Sequence, residues 1–276
     1  MPEQIEAVHN QLQRYSPAQL LGRDACTGEG QFWTIRTWQR CSNATTLSRI
    51  AVAPRISNYW RNAILPTSVR ASSTSHTAIS RSWTSRKSSK KIVDTAQNAP
   101  ETVILAQDEA SLYLQTSLRR VWSPTGHTPV VKSAANRDNT HFYGALNRVS
   151  GHAVVLRCDL MKAAATALYL TMVLLVYPDV PILLLWDRAP WHRGLAIRQI
   201  LAANPRLEIL WFPPGCPELN PQEQVWKATR EAVSHNHSRP KLSELAEAFE
   251  THLTDTRFPC SLLEKHGYQE LCAMFK

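Results

Sequence analysis

Residues 94–276 of the sequence predict an α/β fold: a mixed sheet with flanking helices. Three observations lead to that expectation. Short apolar runs of strand length stop at acidic residues, a strand–turn–strand pattern lies between the first two, and later apolar runs alternate with segments of helical length. A chain of 276 residues, 43% hydrophobic and 19% charged, is long enough to bury a sizeable core as one large domain or two modest ones.

The elements follow in order. Thr102–Gln107 is a short apolar run ending at Asp108-Glu109, as a buried strand should. Ser111–Gln115 and Arg119–Trp122 read as further extended segments, with a turn at Ser123-Pro-Thr-Gly126. Thr140–Leu146 and His152–Arg157 bracket Arg148-Val-Ser-Gly151 and predict a hairpin. Lys162–Tyr177 is rich in Ala and Leu and has helical length, and Pro181–Trp186 is a second buried strand, ending at Asp187. A helix over Trp191–Ala203, a strand over Leu207–Phe212, a helix over Asn220–Ser234 and a last helix over Ser243–Thr254 complete the pattern.

Several classes of protein are disfavoured. The longest uncharged apolar run, Ala163–Pro178, is too short to span a bilayer, and the polar, acidic N-terminus does not read as a signal peptide. The six cysteines lie at least 12 positions apart, so no CxxC pair exists; the scatter suits reduced thiols in the cytosol.

Net charge is +9, which points to a polyanionic partner, but its distribution is uneven. Between Phe32 and Val93 there is no Asp or Glu in 62 residues, against eleven Lys or Arg and twenty Ser or Thr. The rest of the chain is therefore nearly neutral. Residues 35–93 admit three readings: a disordered basic linker, a basic arm lying on nucleic acid, or a stretch translated out of frame. The third is suggested by the lapse of hydrophobic periodicity after Trp33 and its return near Lys91.

Three carboxylates occupy places where chemistry is expected. Asp108 and Asp187 each follow a strand-like run, and in open α/β sheets ligands bind beyond the carboxyl ends of strands. Glu223 falls in the first turn of a helix that Asn220 can cap and Pro221 can open, after the rigid turn Phe212-Pro-Pro-Gly-Cys-Pro217. Three carboxylates can hold two hard divalent ions, a set that suits phosphodiester hydrolysis and strand transfer. Each residue also has a plainer reading: Asp108 and Asp187 as turn residues at strand ends, Glu223 with Asn220 as a capping box, Glu109 as a solvated acid. Trp226 is expected to anchor its helix in the core. Arg119, Arg120, Lys132 and Arg137 are either solvated charges or phosphate contacts.

The segments Leu105-Ala-Gln-Asp-Glu-Ala-Ser111, Leu184-Leu-Trp-Asp-Arg-Ala-Pro-Trp-His192 and Pro217-Glu-Leu-Asn-Pro-Gln-Glu-Gln-Val-Trp226 together resemble the IS630 group of the IS630/Tc1/mariner superfamily, bacterial DDE transposases with an RNase H-like core. Thirty-five residues separate Asp187 from Glu223, close to the spacing usual there. The resemblance covers about 100–276 and implies Asp108, Asp187 and Glu223 as the catalytic and metal-binding triad of a 94–276 catalytic domain, with two Mg²⁺ or Mn²⁺ ions. It makes His192 and Asn220 accessory candidates, His192 either touching a phosphate or metal-bound water or packed structurally by Trp186 and Trp191. Arg188 stands where the family often has Asn. Upstream, Leu20-Leu-Gly and Asp24–Thr34 resemble the lead into a helix-turn-helix unit, so 1–34 is expected to be the remnant of a DNA reader.

The implied activity is metal-dependent cleavage and strand transfer at insertion-sequence ends, in a copy whose reader is damaged. The implied partners are terminal inverted repeats and target DNA, with a homodimer pairing two ends and no membrane; the implied location is the bacterial cytoplasm, at the nucleoid. Two alternatives stand beside it: a non-catalytic remnant that binds DNA through its basic window, and an RNase H-like nuclease acting outside transposition.

Overall fold

The computed structural model describes residues 60–63, 87–124, 130–214 and 217–258, together with Ser16 and Gln19. The chain divides into two compact units. The larger contains the described residues up to Leu112 from Lys87, Asn139–Ala228 and the end of the last helix; the smaller contains 60–63, Tyr113–Asp138 and Thr229–Phe249.

The larger unit is built on a five-stranded mixed sheet. In chain order its strands are β2 (Val103–Tyr113), β4 (Asn139–Asn147), β5 (Ala153–Cys158), β6 (Ile182–Trp186) and β7 (Leu207–Trp211), and in space they run β5-β4-β2-β6-β7. β4 and β5 form the expected antiparallel hairpin. Its turn is closed by Asn147, whose side-chain oxygen accepts from the Val149 and Ser150 N–H groups, and by Gly151 at φ 75°. β2 pairs with β6, and β6 with β7, in parallel. All five residues of β6 are buried, which is why its sequence is continuously apolar.

Strand alternation gives the sheet two different faces. One face presents Leu105, Tyr143, Ala145, Leu184 and Trp186 to helices α2 (Ala163–Val176) and α3 (Leu195–Ala203). α2 buries Thr166, Tyr169, Leu170 and Val173, a stripe at helical spacing. The other face carries Gly144 of β4, beneath helix α4 (Gln222–Thr229). A Cβ at Gly144 would lie 2.5 Å from the ring of Trp226, so glycine is what lets α4 come down onto the strand.

Several expectations are corrected. β2 does not stop at Asp108 but runs on to Tyr113, because Ala110 and Leu112 stay buried while the residues between them are less so. The apolar run becomes an alternating strand. The helix expected over Trp191–Ala203 is broken: a short turn at Pro190–His192 is separated from α3 by Gly194 at φ 145°, a conformation L residues rarely adopt. The helix expected over 220–234 is α-helical to Thr229 and then widens into a π turn over Arg230–Ser234. The last helix, α5, begins at Leu242 rather than Ser243 and reaches Asp255.

In the smaller unit β3 (Val121–Pro124) pairs antiparallel with β1 (Trp60–Ala63). The turn placed at Ser123–Gly126 therefore begins inside a strand, and Thr125 and Gly126 lie outside the described residues. Ser117 bridges His235, Thr116 Oγ1 donates to the Ser234 carbonyl, and Asn236 exchanges hydrogen bonds with the Arg119 backbone.

Among the described residues the basic window carries β1 and the start of helix α1 (Lys87–Asn98). Ile92 is fully buried, and Lys91 pairs with Glu208. The rest of 35–93 lies outside the described residues, as does the expected helix-turn-helix remnant at 1–34 apart from Ser16 and Gln19.

Candidate active site

The parallel register of β2 on β6 brings two of the predicted acids together. Ala106 is level with Leu185; carrying that register forward two residues sets Asp108 level with Asp187, on the same face. Asp108 lies inside β2, and the Trp226 indole N–H donates to its Oδ2 at 3.0 Å. Burial first, then the charges of Glu223, Glu109 and Asp187, hold the Asp108 carboxyl well above the usual carboxylate range.

Glu223 arrives on the first turn of α4. Asn220 anchors that turn: its side-chain oxygen accepts from the Gln222 N–H at 3.1 Å, and its amide nitrogen donates 2.8 Å to the Gln107 carbonyl, one residue before Asp108. Asn220 is thus both the predicted helix cap and a tie between α4 and β2. Asp108, Asp187, Asn220 and Glu223 line one cavity of about 330 Å³, with Arg188, Phe212 and the prolines at 213, 214 and 217 among its other walls.

Glu109, next in the chain to Asp108, points to the opposite face of β2. Its side chain is only 3% exposed and that of His192 is fully buried. His192 Nε2 donates to Glu109 Oε1 at 2.8 Å, and Nδ1 lies 2.8 Å from Asp187 Oδ1. Gln107 Nε2 donates to the same Glu109 oxygen at 2.8 Å. The result is a buried chain, Gln107–Glu109–His192–Asp187, ending at an acid of the cavity. Burial alone would lower the His192 pKa, but the hydrogen bonds to Asp187 and Glu109, with their charges, outweigh it and lift it to about 9. Burial likewise tends to raise Asp187, yet the hydrogen bonds from His192 and the Ala189 N–H, with the imidazolium charge, bring it below its usual value.

The structure therefore sorts the predicted residues. Asp108, Asp187 and Glu223 border one cavity, with Asn220 beside them. A tighter gathering of potential ligand atoms, within 4.8 Å of one another, is a different trio: Glu109, Asp187 and His192. His192 stacks on Trp186 at 4.2 Å and meets Trp191 edge-on, as its structural reading expected, and also bridges two carboxylates. Trp226 anchors its helix and holds Asp108 as well. The expectation that Glu109 is a solvated acid is overturned.

The family model of the DDE superfamily endonucleases matches residues 103–246, just over half of the chain. This chain belongs to the DDE superfamily endonucleases. Its solved structural neighbours include the Mos1 transposase paired-end complex with left transposon end, at 11% identity and TM-score 0.52, over 100% of this chain and 76% of that one. The Mos1 mariner paired end complex with Mn is similar at 13% identity and TM-score 0.52, over 95% and 77% of the two chains. At that identity the likeness is one of fold, and it identifies the DDE endonuclease sheet and its flanking helices as RNase H-like. No curated protein matches the sequence.

Sequence reasoning missed two features of this DDE endonuclease site, the Glu109–His192 pair and the Trp226–Asp108 hydrogen bond. The first had a signal: Glu109 two residues after Gln107, on the core side of a strand continuing to Tyr113, is an acid that alternation sends inward.

Proposed function

We propose that this DDE endonuclease is a transposase of the IS630 group of the IS630/Tc1/mariner superfamily, cutting DNA at the ends of an insertion sequence and joining the ends to target DNA. The observation that carries the reading is the meeting of three motifs, far apart in sequence, at one cavity bordered by Asp108, Asp187 and Glu223. Residues 94–276 are its catalytic domain and 1–34 the remnant of a reader. The 35–93 segment is a basic, Ser/Thr-rich stretch read either as a linker or as translated out of frame, and the second reading is tested below.

The donor set fits hard divalent cations. It is all oxygen, and Asp108 is held high in part by the charges of its acidic neighbours, the kind of crowding that a divalent cation relieves. Asp108, Asp187 and Glu223 would hold Mg²⁺ or Mn²⁺, two ions which, when bound, activate water and offset charge on the attacking and leaving oxygens. The protein's own part is to hold these acids still. Trp226 fixes Asp108, His192 and the Ala189 N–H fix Asp187, and Asn220 fixes the start of the helix that bears Glu223. Placement of this kind supplies much of the rate advantage in phosphoryl transfer.

Terminal inverted repeats and target DNA are the partners, and pairing of two ends requires a homodimer. The Mos1 structures that share its fold are a paired-end complex with a transposon end and a complex with Mn, which favours the same partners and metals here. Among the described residues no helix is long and apolar enough to cross a membrane.

The test is incubation of the purified chain with labelled element ends and Mg²⁺ or Mn²⁺. Cleavage by the wild type and none by Asp187→Asn is expected; equal cleavage by both would remove the triad. Salt-sensitive, sequence-blind binding without nicking would favour a non-catalytic remnant. Nicking by a version with the reading frame restored, but not by this chain, would locate the damage in 35–93.

A further inference from the structure

Beside the carboxylate cavity lies a second one, of about 500 Å³, lined by Arg188, Arg193 and Arg198 together with His192, Ile197 and Trp211. Arg188 and Ala189 line both cavities, so the two adjoin. All three arginines are exposed, and among the described residues none has an ion-pair partner. The Arg188 guanidinium lies over the Trp211 ring, 5.9 Å from its centroid, and Trp211 stacks in turn on Trp186.

Three unpaired guanidinium groups around one hollow repel one another, and such an arrangement suits an anion that bridges them. The hollow is of the size that holds a small molecule or one unit of a polymer. Its position beside a cluster of acids decides between those two. Carboxylates alone would repel a nucleic acid, so a strand brought to them needs cations immediately alongside, on the phosphates that follow the reacting one.

We propose that the arginine-lined cavity is a binding site for the sugar–phosphate backbone of the DNA strand entering the carboxylate cavity. Arg193 and Arg198 contact consecutive phosphates, and Arg188 stands at the junction of the two cavities. The inference rests on the DNA-cleaving reading given above, but it concerns binding and needs no metal.

The experiment is fluorescence anisotropy of a labelled mixed-sequence DNA duplex titrated with the full chain in EDTA, over a series of salt concentrations. Arg193→Ala/Arg198→Ala is compared with the wild type and with a charge-matched control, Lys162→Ala/Lys241→Ala; circular dichroism checks that each variant is folded. Two lost phosphate contacts should reduce the slope of log K against log salt by about 1.8 and weaken binding by between about ten- and a hundredfold near 0.1 M salt. The control should keep the wild-type slope. An unchanged slope in the arginine variant, or an equal loss in the control, overturns this site while leaving the proposed function standing. A wild-type chain that binds no DNA at any salt concentration overturns both.

Discussion

Replacing Glu109 with alanine tests whether the buried chain behind Asp187 is part of the framework. The Glu109 side chain is 3% exposed and accepts two hydrogen bonds of 2.8 Å, from Gln107 and from His192, whose own side chain is fully buried. Truncation leaves both donors without that acceptor and strips the imidazolium of one of its two carboxylate partners. Breaking a buried pair in this way costs about 3–5 kcal/mol. For a chain of this size that is a fall in Tm of roughly 6–20 °C. Glu109→Gln keeps an acceptor oxygen in place and should lose about half as much or less. The assay is thermal unfolding followed by circular dichroism, in EDTA so that metal binding plays no part. A pH series adds a sign. The folded-state pKa of His192 is raised to about 9, so its contribution is fully present below the unfolded value of 6.5 and disappears as pH rises through about 9. The gap between wild type and Glu109→Gln should narrow over that window. A Glu109→Ala protein melting within about one degree of wild type would refute the reasoning. So would a double-mutant cycle with His192→Ala showing no coupling, since residues sharing one buried network couple by about 0.5–3 kcal/mol.

Other predictions follow from the same geometry. Gly144→Ala puts a Cβ 2.5 Å from the Trp226 ring and 2.6 Å from Gln222 Nε2, so it should cost about 1–3 kcal/mol by thermal melting and reduce cleavage as Trp226 is pushed from Asp108. Asp108→Asn and Glu223→Gln should each abolish metal-dependent nicking, and EDTA should do the same to the wild type; a gel assay on labelled element ends checks all three. In the smaller unit, burial and then the charges of Arg119 and Arg230 push His235 down to about 4. The folded chain holds it neutral, so stability present above 6.5 is lost as pH falls toward 4, where the unfolded chain takes the proton first. His235→Gln should flatten that acid limb of the urea midpoint between about pH 7 and pH 5.

Much of the larger unit was legible because its signals are local. A run such as Ile182–Trp186 is apolar throughout and flanked by a proline and an acid, so it reads as a buried strand without knowledge of its neighbours. The hairpin announced itself through Arg148-Val-Ser-Gly151, and the cap at Asn220 through the proline that follows. What escaped depends on partners far away in sequence. Whether β2 ends at Asp108 or continues is decided by the burial of Ala110 and Leu112, and the inward turn of Glu109 matters only because His192 is waiting there. The smaller unit is the extreme case: its Thr116–Arg119 segment binds residues 234–237 through single side chains such as Asn236, which no hydrophobic period records. The break at Gly194 had a visible cause, yet a glycine inside a helical pattern is often tolerated, and only the observed φ of 145° decides it.

The stretch between β7 and α4 divides the candidate acids along the chain. A polypeptide cut short at residue 214 already contains every strand of the large sheet and both aspartates, but it has no third acid. On the chemistry proposed above, such a product lacks one of the three carboxylates that would hold metal and should not cut DNA.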